Sequence, residues 1–419
     1  MHSDSQTETP VATQRLVMIS IFVAALGYFV DIYDLLLFSI VRIKSLKELG
    51  VPEDMLMDQG VMLLNMQMGG MLLGGVLWGI LGDKRGRLSV LFGSIALYSI
   101  ANILNGMVQS VEHYALLRLI AGIGLAGELG AGITLVSELM SSHKRGYGTT
   151  IIASVGLFGA VAAAFIANVY HWRVSYFIGG ALGLGLLLLR VSLYESGMFS
   201  RLKEATVSRG NFWMLFQNRK RFLTYLNCIL IGLPIWFVIG ILVTFSPEFG
   251  KALGLPADSL PVAGEAVKYS YIGLALGDLA SGALSQWLRS RKKVVFLFLI
   301  LTALSVAAYL TLGRQSLVMF YACCGFAGFA VGYWAVFVTI ASEQFGTNIR
   351  ATVTTSVPNF IRGTVVPITL AFNAAKGPMG MTGAAILIGS VTLGIAFFCL
   401  LPLEETFGKN LDFLEADEA

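Results

Sequence analysis

Long apolar runs broken by short polar loops make up most of this chain. Twelve of them reach the length of a bilayer-spanning helix: residues 16–40, 61–82, 88–110, 114–139, 148–170, 174–193, 222–246, 267–287, 294–313, 316–341, 352–374 and 380–402. A bilayer core takes about 20 mostly apolar residues in helical form. Inside lipid each backbone N–H and C=O must be satisfied within its own segment, which excludes irregular chain. The runs lack the two-residue alternation of a membrane β-strand. The pattern therefore predicts twelve transmembrane helices, in two sets of six on either side of the longest polar stretch, residues 194–221.

The two sets share a repeated stretch. Residues 137–150 read SELMSSHKRGYGTT and residues 342–355 read SEQFGTNIRATVTT. Ser137, Glu138, Arg145, Thr149 and Thr150 recur as Ser342, Glu343, Arg350, Thr354 and Thr355 at the same spacing. Internal duplication of a helical membrane protein marks many secondary transporters. The expected fold is an all-α integral membrane protein with two pseudo-symmetric six-helix bundles.

Composition narrows the class. The chain is 56% hydrophobic and only 13% charged, with a mean hydropathy of +0.75. A soluble domain is about 45–50% apolar and about 25% charged. The net charge of +4 is spread over loops and gives no nucleic-acid patch. Cys228, Cys323, Cys324 and Cys399 lie in apolar runs without metal-ligand spacing, so neither a disulfide framework nor a zinc site is expected. His2, His113, His143 and His171 fall at or near loops and termini. No nucleophile–base arrangement, nucleotide-binding loop or appended soluble domain points to an enzyme, and no cofactor or metal is expected. The first fifteen residues lack the basic region of a cleavable signal, so the first apolar run is expected to stay as a helix.

Lys and Arg concentrate in the termini and in the loops on their side, which places both termini in the cytoplasm. The loop after the first span runs against that rule, with Arg42, Lys44 and Lys47 outside. The expected division is a cytoplasmic tail (1–15), a six-helix bundle (16–193), a cytoplasmic linker (194–221), a second bundle (222–402) and a cytoplasmic tail (403–419).

The loop after the second span reads Gly79-Ile-Leu-Gly82-Asp83-Lys84-Arg85-Gly86-Arg87. It resembles the signature G-x-L-A-D-R-x-G-R of the Major Facilitator Superfamily, with Gly82 for Ala and Lys84 for Arg. The fourth span, Arg118-Leu-Ile-Ala-Gly122-Ile-Gly124-Leu-Ala-Gly127-Glu128, resembles the same superfamily. So do the duplicated Glu138…Arg145 and Glu343…Arg350, and the ends of each half, Tyr194-Glu195-Ser196 and Glu404-Glu405-Thr406. These last elements look most like the branch of sugar porters, organic-ion transporters and metabolite or aromatic-acid–proton symporters. The counterpart loop in the second half, Ser285-Gln286-Trp287-Leu288-Arg289-Ser290-Arg291-Lys292, has Gln in place of Asp.

The resemblance implies two bundles rocking about a central cavity, with no enzymatic activity. It also implies a cytoplasmic ion-pair network of Asp83, Gly86, Arg87, Glu138, Arg145 and Glu195 in one half and of Glu343, Arg350 and Glu405 in the other. Charges at a closing interface can be paired in one state and wet in the other, and so favour one state.

Ionisable residues in a bilayer are costly and functional by default. Asp31 and Asp34 sit at i, i+3 on one face of the first span, and either or both can bind a proton; the alternative is that one of them pairs structurally with Arg118 or Arg362. The pair resembles the D-G-x-D pattern of aromatic-acid–proton symporters, with Ile32 for Gly. Glu128 is read either as a proton carrier or as the partner of Arg118, and Arg118 as structural or coupling. Arg362, near the centre of the eleventh span, fits a substrate carboxylate or phosphate through two parallel hydrogen bonds. The alternative is a salt bridge to Asp278, Asp34 or Glu128. Asp278, Tyr33, Tyr333, Trp334 and Asn359 complete the candidate substrate site, Asp278 as counter-ion or as a purely structural residue.

The expected function is proton-coupled symport of a small organic anion by a monomer in the inner membrane of a bacterium. Proton-antiport export and sugar uptake are the alternatives. The fifth span lacks the proline of G-P-x-x-G-G found in exporters, and Asn227-Cys-Ile-Leu-Ile-Gly232-Leu-Pro234 lacks the paired glutamines of sugar porters.

Overall fold

A computed structural model describes residues 11–85, 87–128, 142–195, 212–409 and 415. Among the described residues the chain folds as twelve transmembrane helical segments in two pseudo-symmetric halves. The first half holds Val11–Glu48, Leu56–Arg85, Arg87–Asn105, Val111–Leu125, Ser142–Val169 and Trp172–Glu195. Among the described residues, seven helical stretches are long and apolar enough by themselves to cross a membrane.

The second half is more broken. Its first span divides into Arg219–Leu230, Leu233–Phe237 and a π-helical turn, Val238–Val243, around Gly232 and Pro234. Proline withholds a donor and clashes with the preceding turn, so the helix re-forms on new hydrogen bonds. Ala263–Trp287 and Arg291–Thr311 are continuous. The tenth span divides into Leu317–Ala330 and Trp334–Glu343. The eleventh begins at Thr347 and parts from the twelfth at Gly380, whose φ of 68° suits a residue without Cβ.

Packing repeats with the halves. The first span lies on the fifth, the second on the fourth, and the third on the sixth; the eighth lies on the tenth, and the ninth on the twelfth. The halves meet where the second span packs on the eleventh and the fifth on the eighth. Those two junctions exchange under a shift of six spans, as a two-fold relation requires. Glycines set the close pairs. A Cβ on Gly122 would overlap the Gln67 carbonyl, and one on Gly328 the Ser270 carbonyl. Small residues let membrane helices approach backbone to backbone where no hydrophobic force drives them together.

The first helix outruns its apolar stretch, reaching Glu48. Its basic end is neutralised at the far side from the termini. Arg42 pairs with Glu248 at 2.6 Å, Lys44 donates to the Ala167 carbonyl at 3.1 Å, and Lys47 pairs with Glu53 at 2.6 Å.

Candidate functional site

The first span supplies two carboxylates to the interior. Asp31 is 0% exposed and Asp34 is 1% exposed. The Asp31 carboxylate lies 3.6 Å from the Arg362 guanidinium, an ion pair across the two halves at more than hydrogen-bond length. Arg362 is itself buried, with its Nε and Nη1 free of hydrogen bonds to the described residues. Its guanidinium stands over the Trp334 ring, 5.7 Å from the centroid. Tyr28 and Tyr271 lie in the field of both Arg362 and Asp31. A fixed cation, one long-range counter-ion and aromatic walls thus meet where the first, eighth, tenth and eleventh spans converge.

Asp34 points elsewhere, into the first half. It abuts Gly179, where a Cβ would overlap its Oδ1, and the Asn102 amide stands beside it without a well-aligned hydrogen bond. Asp31 and Asp34, inseparable on a helical wheel, therefore differ in surroundings. Only Asp31 reaches Arg362.

Arg118 is 0% exposed and hydrogen-bonded to the Gln67 side chain, with the Tyr176 hydroxyl at 3.4 Å and the Phe38 ring beneath it at 5.0 Å. It ties four spans of the first half together. Glu128 does not partner Arg118. Both of its oxygens take Arg190, at 2.6 and 2.9 Å.

The other candidates spread out. Asp278 accepts the Ala335 N–H at 3.0 Å and so caps the restarted tenth span, in line with the structural one of its two readings; it makes no ion pair with Arg362. Asn359 donates to the Ala126 carbonyl at 2.8 Å, where the fourth span breaks, and so bridges the halves near Arg362. The hydroxyls of Tyr33 and Tyr333 are committed to the carbonyls of Ser175 and Ile231, at 2.9 and 3.0 Å. Both rings serve as packed walls.

At the termini side of the second half, Glu343 pairs with Arg291 at 2.8 Å, not with Arg350, which donates to the Ser342 and Phe345 carbonyls. Glu405 takes the Ser290 hydroxyl and the N–H groups of Arg291 and Lys292. Burial raises the Glu405 carboxyl, but these bonds and the Phe407 N–H outweigh it, and its pKa is lowered. In the first half, Gly86 and Glu138 lie outside the described residues, as do the side chains of Asp83, Arg87, Arg145 and Glu195.

Three residues were missed in sequence. Arg190 ends the run Leu186-Leu187-Leu188-Leu189-Arg190, and a charge there is itself the signal. Arg42 was visible only as an exception to the charge rule. Arg291 sits in the degraded loop of the second half.

The comparisons agree with this architecture. The family model for the Major Facilitator Superfamily matches residues 17–363, and the chain belongs to that superfamily. It is a membrane transporter and not an enzyme. A Bacillus subtilis protein that carries the name of a niacin/nicotinamide transporter, NiaP, is 28% identical over 82% of this chain and 84% of its own length. The 3-(3-hydroxy-phenyl)propionate transporter of Escherichia coli is 26% identical over 78% of this chain and 77% of its own. Among solved structures, the proton:xylose symporter XylE matches with a TM-score of 0.66 at 18% identity, covering 95% of this chain and 98% of that one; this likeness concerns the fold alone.

Proposed function

We propose that the protein imports a small ring-bearing carboxylate together with protons. The observation that carries this reading is Arg362, a buried guanidinium with two N–H groups free and an aromatic wall. A guanidinium binds a carboxylate through two parallel bonds, and an adjacent ring gives a flat ligand a stacking surface. The names of relatives that handle niacin and a phenylpropionate support the same class.

Charge supports the proton. Among the described residues the membrane interior holds the acids Asp31, Asp34, Glu128 and Asp278 and the bases Arg118, Arg190 and Arg362. Adding a carboxylate without a proton would add an uncompensated negative charge in low dielectric, which is costly. Asp31, Asp34 and Glu128 are the proton-coupling groups in this reading. It further takes the carrier as a monomer of a bacterial inner membrane, with cytoplasmic termini and the Glu343, Arg350 and Glu405 region as part of the cytoplasmic gate.

The test is binding of nicotinate against its neutral isostere nicotinamide. The purified protein should bind nicotinate, and Arg362→Ala should lose the preference for the acid. Equal binding of acid and amide by the unmodified protein would remove the anion reading.

A further inference from the structure

Arg190 lies outside the substrate site, yet it grips Glu128 with both Nη atoms, at 2.6 and 2.9 Å. The two side chains are 8% and 2% exposed. Arg190 Nη2, the nitrogen at 2.6 Å, also reaches the Val23 carbonyl at 3.4 Å. The pair rests directly on Gly27, where a Cβ would overlap Glu128 Oε1 and Arg190 Nη2. Gly27 is one helical turn before Asp31, on the same face of the first span. Helical side chains lean toward the N-terminus, so the Asp31 carboxylate is carried toward the level of Gly27.

The neighbourhood is consistent with that placement. Asp31 lies in the fields of both Arg362 and Glu128. The Tyr98 hydroxyl, buried and without a hydrogen bond to the described residues, lies in the fields of Glu128, Asp34, Arg190 and Asp31. The charged and titratable groups facing Glu128 are thus Asp31 from the first span, Tyr98 from the third and Arg190 from the sixth. Burying two ions gains little stability over apolar packing, so such a pair is better suited to a switch than to cohesion.

The geometry points to Arg190 as a positioning residue shared between Glu128 and Asp31, with Glu128 as the group that takes the transported proton. This rests on the anion reading of Arg362. In the substrate-free carrier Arg362 holds Asp31, and Arg190 holds Glu128. A substrate carboxylate takes Arg362 and leaves Asp31 without its cation. Arg190 then turns from Glu128 to Asp31, and the Glu128 carboxylate accepts one proton from the open aqueous side to become a neutral acid. Release reverses both exchanges, and the proton leaves with the substrate. One proton accompanies one carboxylate, so the buried charge is the same before and after loading.

The experiment uses proteoliposomes and labelled nicotinate, reading uphill accumulation under a pH gradient and equilibrium exchange. Glu128→Gln should still exchange nicotinate, lose uphill accumulation and show a flattened pH profile of exchange. Arg190→Gln should lose exchange, Arg190→Lys should restore it, and the double variant Glu128→Gln/Arg190→Gln should be no better than Arg190→Gln. A merely structural pair gives the opposite: Glu128→Gln accumulates uphill like the unmodified protein, or the double variant recovers exchange. Either outcome overturns the proposal. Exchange that persists in Arg362→Ala would instead remove the substrate reading on which it rests.

Discussion

Glu405 shows how one residue's environment becomes a pH dependence. Its carboxyl lies below its ordinary value of 4.5 in the folded protein. A lowered folded value stabilises above the unfolded pKa, and that contribution is lost as pH falls through the folded one. The anchor at Ser290 and Arg291 should therefore hold at neutral pH and loosen as pH falls below the ordinary value of 4.5 and through the lowered one. Hydrogen-exchange protection of residues 401–409, relative to the intrinsic rate at each pH, should fall over that window, and Glu405→Gln should remove the change; pH-independent protection in the unmodified protein would contradict it. At this scale the sequence spoke through rarity. Arg362, Asp31 and Asp34 were legible because a charge in an apolar run is expensive. Which of the two acids meets Arg362 was not, because Asp31 and Arg362 are joined only by the docking of two halves. Arg190 went unread beside Glu128 for a related reason: nothing in the fourth span says which face meets the sixth.

The breaks in the spans follow the repeat. The helix Val111–Leu125 of the fourth span ends at Leu125 and the first part of the tenth span at Ala330, corresponding points under the offset that aligns Ser137 with Ser342. The duplicated motif located these points; the discontinuity itself was not legible, because Val331-Gly332-Tyr333 reads as ordinary apolar helix. Contact explains the break. A Cβ on Gly332 would sit 2.5 Å from the Gly277 Cα and 2.8 Å from the Asp278 backbone N. Gly332→Ala must push the eighth and tenth spans apart and disturb the Asp278 cap on Ala335. Overpacking of this kind costs about 1–3 kcal/mol. The thermal midpoint in detergent should fall accordingly, whereas Gly282→Ala, with open space around its Cβ position, should leave it unchanged. Equal midpoints for both variants would refute the close-approach argument.

Across the whole molecule, the halves are closed at the end away from the termini. Arg42 pairs with Glu248, Lys376 with Asp58 at 3.0 Å, and Asn168 donates to Glu265 at 3.1 Å. Arg42 is fully buried, so this pair is unlike a solvated surface bridge. Removing one member of a buried pair costs on the order of 3–5 kcal/mol, enough to invert a two-state population. Arg42→Ala should favour the state open at that end, and a cysteine at Ser39, beside Thr244 in the same closure, should react faster with a membrane-impermeant thiol reagent. Unchanged labelling would mean that other contacts hold the closure. The sequence carried the twelve spans, the duplication and the superfamily motifs, because each depends on local pattern. It carried this closure only as three basic residues on the unexpected side.

The central claim is that a carboxylate and a proton cross together through Arg362. Its most direct test is the lumenal pH of proteoliposomes on external addition of nicotinate, without an imposed gradient. Acidification is expected with nicotinate, none with nicotinamide, and none with nicotinate in the Arg362→Ala protein. Nicotinate entry at an unchanged lumenal pH, or acidification that survives Arg362→Ala, would contradict it.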